Sequence, residues 1–363
     1  MENQSMASSK PRVLIAAGIY PPDPGGPAVH AKAQFEGFPE LGVKTRLVAF
    51  SHYRKWPKVV RHMFYFFALL SKAPGCDVVY AHDAISAGIP AMWTKQVYKK
   101  KLILRIGGDV AWERSGELQG LSMIEWYEQG FYKDNKFFKL SQKVLQGADV
   151  IIVVSALLTD IYTKYYGVNP LKIKVIANPV PEVSGRETKI ENNIVYASRL
   201  VSYKNLELVL KVLAKVFPAH PELKFIIMGD GPERKKLEAI TKDLNIGSQV
   251  VFTGTVPQSQ VLEETSSCLF TLAPALTEFN PNYVLQGISL GKPTIISREN
   301  GLPFSVPTEF SFSARDEAGL ESCIMTILDP GGYQKAIEWV RSLNFKMGWS
   351  DNLKANVEAI KSL

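Results

Sequence analysis

Short apolar runs rich in Val, Ile and Leu alternate with longer stretches whose apolar residues recur every three or four positions, and this alternation runs the length of the chain. In the first half the runs are Arg12–Gly18, Lys44–Phe50, Asp77–His82, Lys101–Gly107, Ala148–Ser155 and Lys172–Asn178. They are near-continuously apolar rather than alternating, the pattern of strands covered on both faces of a parallel sheet. Segments such as Ala28–Leu41 and Ser141–Gly147 read as the helices between them. A βαβα rhythm of this kind predicts a doubly wound α/β domain.

The rhythm breaks between Pro179 and Asn193, where prolines, a glycine and charges replace any apolar period, and it then resumes. Ile194–Ser198 begins a second series. Leu206, Val209, Leu210, Leu213, Val216 and Phe217 mark one face of the next helix. Lys224–Gly229, Gln249–Gly254, Leu269–Ala275 and Pro293–Ser297 follow as strands, with helices starting at Pro232, Gln258 and Pro281. Ser350–Leu363 reads as a last helix. The organisation expected is a disordered start over residues 1–10, a Rossmann-like domain over 11–180, a linker over 181–193, a second Rossmann-like domain over 194–345, and a C-terminal helix over 346–363 that packs back on the first domain. Ligands of such sheets bind beyond the carboxyl ends of the strands, so two of them facing each other predict a site in the cleft they form.

A chain of 363 residues is long enough for two cores. Apolar residues make up 46% and charged residues 21%, as in ordinary globular proteins. The polar start lacks the apolar core of a secretory signal. Met63–Leu70, the most apolar stretch, falls far short of the roughly 20 residues that span a bilayer and reads as a buried helix face. Cys76, Cys268 and Cys323 stand singly, without metal or disulfide spacing, as buried small residues in a reducing, cytoplasmic setting. A net charge of +7 suits anionic partners: nucleotide phosphates or an anionic membrane surface. Nucleic acid is disfavoured, since no stripe of basic and aromatic residues and no binding motif is present. The stretch from Tyr53 to Lys72 joins basic and aromatic residues to an apolar run. It reads as a helix with a solvated basic end, or as a surface that lies against anionic headgroups.

Three segments carry candidate chemistry. In Tyr20-Pro-Pro-Asp-Pro-Gly25-Gly26-Pro-Ala-Val-His30, the paired glycines precede a helix, where bare backbone N–H groups can meet an anion; a plain Pro/Gly loop is the equal alternative. In Tyr196-Ala-Ser-Arg199-Leu-Val-Ser-Tyr-Lys204-Asn, Arg199 and Lys204 follow a strand and could clamp a diphosphate, or be solvated surface charges. In Thr277-Glu278-Phe-Asn280-Pro281-Asn282-Tyr283-Val-Leu-Gln286, Pro281 suits the first helical position, with Asn280 as N-cap. Glu278 then precedes the helix, free N–H groups at Asn282 and Tyr283 face a ligand, and Gln286 lies about one turn inside. An ordinary capped helix would look the same.

Together these segments resemble the retaining glycosyltransferases of family 4, which have the GT-B fold, over almost the whole chain. The Gly25-Gly26 loop is similar to that family's N-terminal glycine loop, and Ser198-Arg199-Leu200 with Tyr203-Lys204-Asn205 to its cationic clamp. Gly229-Asp230-Gly231-Pro232 and Phe252-Thr253-Gly254 resemble its nucleotide-side loops, and Glu278 to Gly291 its acidic segment leading into Gly-Lys-Pro. The resemblance implies a nucleotide-diphosphate sugar donor, a glycan or lipid-linked acceptor, and cell-envelope polysaccharide or glycolipid synthesis. It implies no cofactor and no metal. Gly25, Gly26, Arg199 and Lys204 would hold the diphosphate; Glu278, Asn280, Asn282 and Tyr283 the sugar and phosphate; Gly229 and the stretch ending at Val256 the nucleotide.

Two departures stand out. Gln286 replaces a second glutamate that holds the ribose, which lowers donor affinity by about 1 kcal/mol. After the strand Lys101–Gly107 the chain has Gly-Gly-Asp109-Val-Ala-Trp112-Glu in place of a histidine. Asp109 orients a sugar or serves as a helix-start carboxylate; His82, Asp83, Trp112 and His30 line the acceptor side or are structural. A non-catalytic sugar-nucleotide binder and an epimerase of the same fold are the competing readings. A dinucleotide oxidoreductase is disfavoured by the absence of a G-x-G-x-x-G after the first strand.

Overall fold

A computed structural model describes residues 10–23, 25–116, 119–180, 189–343 and 348–363. Most of the expected disordered start, and residues 181–188 of the expected linker, lie outside the described residues. The chain divides into two compact units. Unit 1 comprises residues 1–111, 132–177 and 349–363; unit 2 comprises residues 112–131 and 178–348.

In unit 1 the strands β1 (Arg12–Ala17), β2 (Lys44–Ala49), β3 (Val78–Ala81), β4 (Lys101–Ile106), β5 (Val150–Val153) and β6 (Ile173–Val175) form one sheet in the order β2-β1-β3-β4-β5-β6. Every pairing is parallel. The order reverses between β1 and β3, which makes that the switch point of this sheet. Along the chain its helices are α1 (Gly26–Gly37), α2 (Lys58–Lys72), α3 (Gly88–Tyr98) and the start of α4 (Val110–Ser115). After α5 (Met123–Glu128), which belongs to unit 2, come α6 (Lys136–Gly147) and α7 (Ala156–Lys164). On one face Val13, Ile15, Val78, Tyr80, Ile103 and Ile152 form a buried cluster with Phe38, Val357 and Ile360.

In unit 2 the strands β7 (Asn193–Ala197), β8 (Lys224–Met228), β9 (Val250–Gly254), β10 (Phe270–Ala273), β11 (Thr294–Ser297) and β12 (Ser311–Phe312) pair in parallel in the order β12-β11-β10-β7-β8-β9. Counted within the unit this is the Rossmann order, with the switch point between β7 and β10. The helices are α8 (Leu206–Val216), α9 (Arg234–Asp243), α10 (Gln258–Ser267), α11 (Asn282–Ser289), α12 (Glu317–Leu328) and α13 (Pro330–Ser342). The apolar stripe read on α8 is buried at Leu206, Val209, Leu210, Leu213 and Val216.

The last helix, α14 (Trp349–Lys361), groups with unit 1. Its Asn352 donates through Nδ2 to the Ala177 carbonyl (2.8 Å), and the Tyr80 hydroxyl donates to Asn356 Oδ1 (2.6 Å). Residues 112–131 group with unit 2, although a split at one point of the sequence would keep them with unit 1.

The reading of Met63–Leu70 as a buried face is corrected. Tyr65 and Leu69, one turn apart on α2, are fully buried, whereas Met63, Phe64 and Phe67 are exposed. A segment that is apolar all round can cover only one stripe when the sheet lies on one side.

Candidate functional site

Unit 2 assembles its candidate residues at the β7/β10 switch point. The loop after β7 is tied to the loop after β8. The Ser198 N–H donates to the Met228 carbonyl (3.1 Å) and the Leu200 N–H to the Asp230 carbonyl (3.0 Å). This approach requires glycine at 229. Gly229 has φ +134°, and a Cβ there would stand 2.0 Å from the Ser198 carbonyl oxygen. Arg199 lies exposed in this loop.

The chain then makes a short 3₁₀ turn, Ser202–Lys204, and Asn205 ends it in the left-handed region at φ 58°. The Asn205 Nδ2 donates to the carbonyls of Pro274 (3.1 Å) and Ala314 (2.6 Å), which fixes the turn to the end of β10. The result is a close ion pair: Lys204 Nζ lies 2.6 Å from Glu278 Oε1, with the side chains only 10% and 5% exposed. The ammonium also sits 5.1 Å from the centre of the Tyr203 ring.

Glu278 is held from behind. Its N–H donates to the Glu299 carbonyl (3.0 Å) and its carbonyl accepts from the Gly301 N–H (2.7 Å). The adjacent Thr277 hydroxyl donates to Glu299 Oε1 (2.5 Å) and accepts from the Met123 N–H (2.8 Å). Glu299 also accepts from the Ile124 N–H (3.1 Å), so the amides that start α5 are anchored here. Burial pushes the Glu299 carboxyl up, and these hydrogen bonds oppose that shift.

The α11 segment differs by one residue from expectation. Pro281 is the N-cap, with ψ at 101°, and the first helical residue is Asn282, so Asn280 is not the cap. Proline at 281 has an extended ψ, which delays the helix by one position. Asn280 is buried. Asn282 Oδ1 accepts from Asn178 Nδ2 (3.0 Å). The Tyr283 hydroxyl donates to the Leu272 carbonyl, and its ring stands edge-on to Tyr196 at 5.7 Å. Burial drives both phenol pKa values well above the ordinary range. Tyr283 therefore serves the core with its side chain and has only backbone to offer a ligand. Gln286 is buried, and its Oε1 accepts from Gln258 Nε2 at the start of α10 (2.9 Å). Val256 packs beside Val195, Ile226, Met228 and Cys268.

Trp112, expected on the acceptor side, is fully buried in unit 2. It meets Tyr203 and Phe279 edge-on at 5.4 and 5.8 Å, and its Nε1 donates to the Leu121 carbonyl (3.0 Å).

In unit 1, Gly25 caps α1 with φ 121°, a backbone conformation that L side chains rarely adopt, and Gly26 starts the helix. One turn on, His30 is buried. Its Nε2 accepts from the Arg105 guanidinium (3.2 Å) and its ring lies 4.9 Å from that of Trp349. Asp109 is buried and accepts from the Tyr166 hydroxyl (2.7 Å), while the Tyr162 hydroxyl donates to the Gly108 carbonyl (2.8 Å). His82 and Asp83 follow β3 and line a cavity with Gly18, which follows β1. Asp83 Oδ1 accepts the N–H groups of Ile85 (2.8 Å) and Ala87 (2.9 Å), and burial raises its pKa against them.

Sequence reasoning passed over Glu299, Gln258 and Arg61, the last of which lines the same cavity as His82 and Asp83. Glu299 stands just past β11, at the strand-end position that picked out the others. Arg61 lay within a basic run and Gln258 among ordinary polar residues, so only the folded geometry distinguishes them. Among the described residues no group of three or more His, Cys, Asp or Glu side chains is arranged to hold a metal ion.

Comparison with known proteins bears on the family and the fold. Residues 12–182 match the family described as Glycosyltransferase Family 4, and residues 183–309 that described as Glycosyl transferases group 1. The phosphatidylinositol N-acetylglucosaminyltransferase gpi3 subunit of Schizosaccharomyces pombe is 26% identical over 202 residues, covering 54% of this chain and 43% of that protein. The chain spans about half the length of the curated relatives it matches. Among solved structures, sucrose-phosphate synthase from Thermosynechococcus elongatus has a TM-score of 0.75 at 15% identity, covering 97% of this chain and 98% of that one. HepE of Anabaena in complex with UDP-glucose has a TM-score of 0.72 at 13% identity, covering 97% and 100%. These likenesses establish the GT-B fold.

Proposed function

The chain belongs to glycosyltransferase family 4, and on that premise we propose that it transfers a sugar from a nucleotide-diphosphate donor to a hydroxyl of a glycan or lipid-linked acceptor. The observation that carries this reading is the buried Lys204–Glu278 pair at the β7/β10 switch point. It supplies a cation for a diphosphate and a carboxylate for sugar hydroxyls from two loops that meet at the switch point. Arg199, exposed in the same loop, is the second cation. The backbone at Asn280, Asn282 and Tyr283 meets sugar and phosphate; Gly229, Val256 and Gln286 belong to the nucleotide end. Gly25 and Gly26 supply amides to the diphosphate, and Asp109 orients a sugar.

In the reaction the bond from the anomeric carbon to the diphosphate oxygen breaks, and the acceptor oxygen bonds on the same face. The acceptor proton passes to the departing phosphate. Arg199 and Lys204 take up the charge that develops there, and Glu278 steadies the cationic sugar. Configuration is retained.

HepE has been solved with UDP-glucose, and this makes UDP-sugars the first donors to try. Release of nucleoside diphosphate from a panel of UDP, GDP and ADP sugars tests the reading. Binding of a sugar nucleotide without any release favours instead a non-catalytic binder, the reading to which Gln286 points.

We further place the protein at an anionic bilayer. Trp56, Val59, Met63, Phe64 and Phe67 are exposed on and before α2, and Trp93 and Val97 on the neighbouring α3. Arg54 and Lys55, exposed just before Trp56, add a basic margin. Large exposed apolar side chains with a basic margin suit headgroups and the upper acyl region. No helix among the described residues is long and apolar enough to cross a membrane. The gpi3 relative, named for a phosphatidylinositol substrate, is consistent with glycolipid synthesis.

A further inference from the structure

At the β1/β3 switch point of unit 1 lies a cavity of about 290 Å³, lined by the residues that follow β1, β2 and β3. This is where a doubly wound sheet of this strand order holds its ligand. The lining includes Gly18, Arg54, Arg61, His82 and Asp83.

Three features of the lining describe a ligand. Arg54 is answered by Asp23 at 2.7 Å, and Asp83 by the amides of its own loop. Arg61 has no such partner among the described residues. Its Nε is buried without an acceptor, and the guanidinium lies 5.3 Å from the centre of the Phe50 ring. Among the described residues one cation is therefore left without a counter-charge. His82 is only 7% exposed, and both its ring nitrogens are buried without a hydrogen-bond partner. Leaving two such groups unpaired is unfavourable, and a hydroxyl in the cavity would satisfy them. Burial, aided by Arg105, pushes the His82 pKa from 6.5 down to about 3. The ring is thus a neutral donor and acceptor, the complement of a hydroxyl rather than of a second anion.

We propose that this cavity binds a polyol phosphodiester as acceptor, with Arg61 on the phosphate and His82 on a polyol hydroxyl. The single uncompensated guanidinium matches the single charge of a phosphodiester, and the cavity has room for a small polyol beside it. Asp83 Oδ2 comes within 2.6 Å of the position a Cβ would take at Gly18, so the carboxylate stands at the mouth of β1 as a second acceptor for a polyol hydroxyl. The inference rests on the transferase reading given above. The same chemistry is presented by a lipid head group and by a free deacylated ester. Met63, Phe64 and Phe67, exposed on the helix that carries Arg61, favour the lipid form.

The test is calorimetric titration of the full chain with glycerophosphoinositol and glycerophosphoglycerol, with inositol, glycerol and glucuronate as controls. Vesicles of phosphatidylinositol or phosphatidylglycerol in phosphatidylcholine supply the lipid form. At least one phosphodiester should bind, and the uncharged polyols about tenfold more weakly or worse. Arg61→Gln should lose about the same factor, with Arg61→Lys recovering part of it. Vesicle binding that needs Arg61 and exceeds that of the soluble esters identifies a lipid source; Arg61-dependent binding of soluble esters alone identifies a free one. Equal binding of esters and uncharged polyols, preference for glucuronate, or wild-type affinity in Arg61→Gln overturns the proposal. UDP and UDP-glucose are titrated alongside into the wild-type protein. Nucleotide binding without phosphodiester binding refutes the acceptor class and leaves the transferase reading standing. Phosphodiester binding without nucleotide binding refutes the transferase reading, and with it the acceptor role, and leaves only the ligand class of the cavity standing.

Discussion

Gln258, at the first position of α10, donates a hydrogen bond of 2.9 Å to the side-chain oxygen of Gln286, which lies one turn inside α11. The amide oxygen of Gln286 is thereby engaged from a neighbouring helix. A glutamate at 286 would keep this bond, strengthen it by its charge, and still have an oxygen for a ribose hydroxyl. Gln286→Glu should tighten donor binding about fivefold, the equivalent of about 1 kcal/mol. Calorimetry with the nucleotide sugar measures this, and an unchanged affinity would separate Gln286 from the ribose.

The Lys204–Glu278 pair makes a different prediction. The carboxylate competes with a diphosphate for the ammonium, while serving the donor sugar. Glu278→Gln should therefore bind the nucleoside diphosphate at least as tightly as wild type and yet transfer sugar about a hundredfold more slowly or worse. Removing one partner of a buried pair destabilises the fold, here lessened by the neutral isostere, so melting is followed in parallel. Equal losses in diphosphate affinity and in transfer would show that the carboxylate only holds the lysine in place.

His82 gives the protein a pH signature. Its pKa, near 3 in the fold, is close to 6.5 in the unfolded chain. Between those values the unfolded chain binds the extra proton, so stability falls as the pH falls through that window. Arg105 on β4 pushes the pKa the same way as burial; Arg54, which is paired with Asp23, and Arg61 and Asp83 line the same cavity. Going from pH 6.5 to pH 5 should remove about 2 kcal/mol through this group. Urea unfolding of wild type and His82→Gln at both pH values isolates the contribution. Parallel losses in the two proteins would show that His82 is protonated in the fold.

The exposed face of α2 predicts a separable behaviour. Replacing Met63, Phe64 and Phe67 with serine should abolish sedimentation with vesicles containing anionic lipid, since each side chain adds about 1.5–3 kcal/mol when buried. Folding stability should be unchanged, because these side chains are exposed in the fold. A marked drop in melting temperature would mean that they are packed against protein instead.

Both sheets were legible because most of their strands are short and largely apolar, a pattern that needs no tertiary information; the edge strands β2 (KTRLVA) and β6 (IKV) carry it least. The helix α12 carries Leu320, Ile324 and Ile327 on one buried stripe, so its signal is in the sequence; the two-residue strand β12 offers no period to read. That Arg199, Lys204 and Glu278 lie beyond strand ends was legible. The side-chain pairing of Lys204 with Glu278 was not, since 74 residues separate them and only the turn at Asn205 brings them together. Nor could spacing reveal that His30 is spoken for by Arg105, or that α2 turns Phe64 and Phe67 outward. Which stripe of an all-apolar helix is covered depends on what lies beside it.

The central claim is that Arg199 and Lys204 carry the charge of a departing nucleoside diphosphate. It is tested most directly by single-turnover sugar release from a UDP-sugar by Arg199→Ala/Lys204→Ala, with melting temperature recorded for the same sample. The account predicts a folded protein in which release falls about a thousandfold or more. A folded double variant that turns over at the wild-type rate would contradict it.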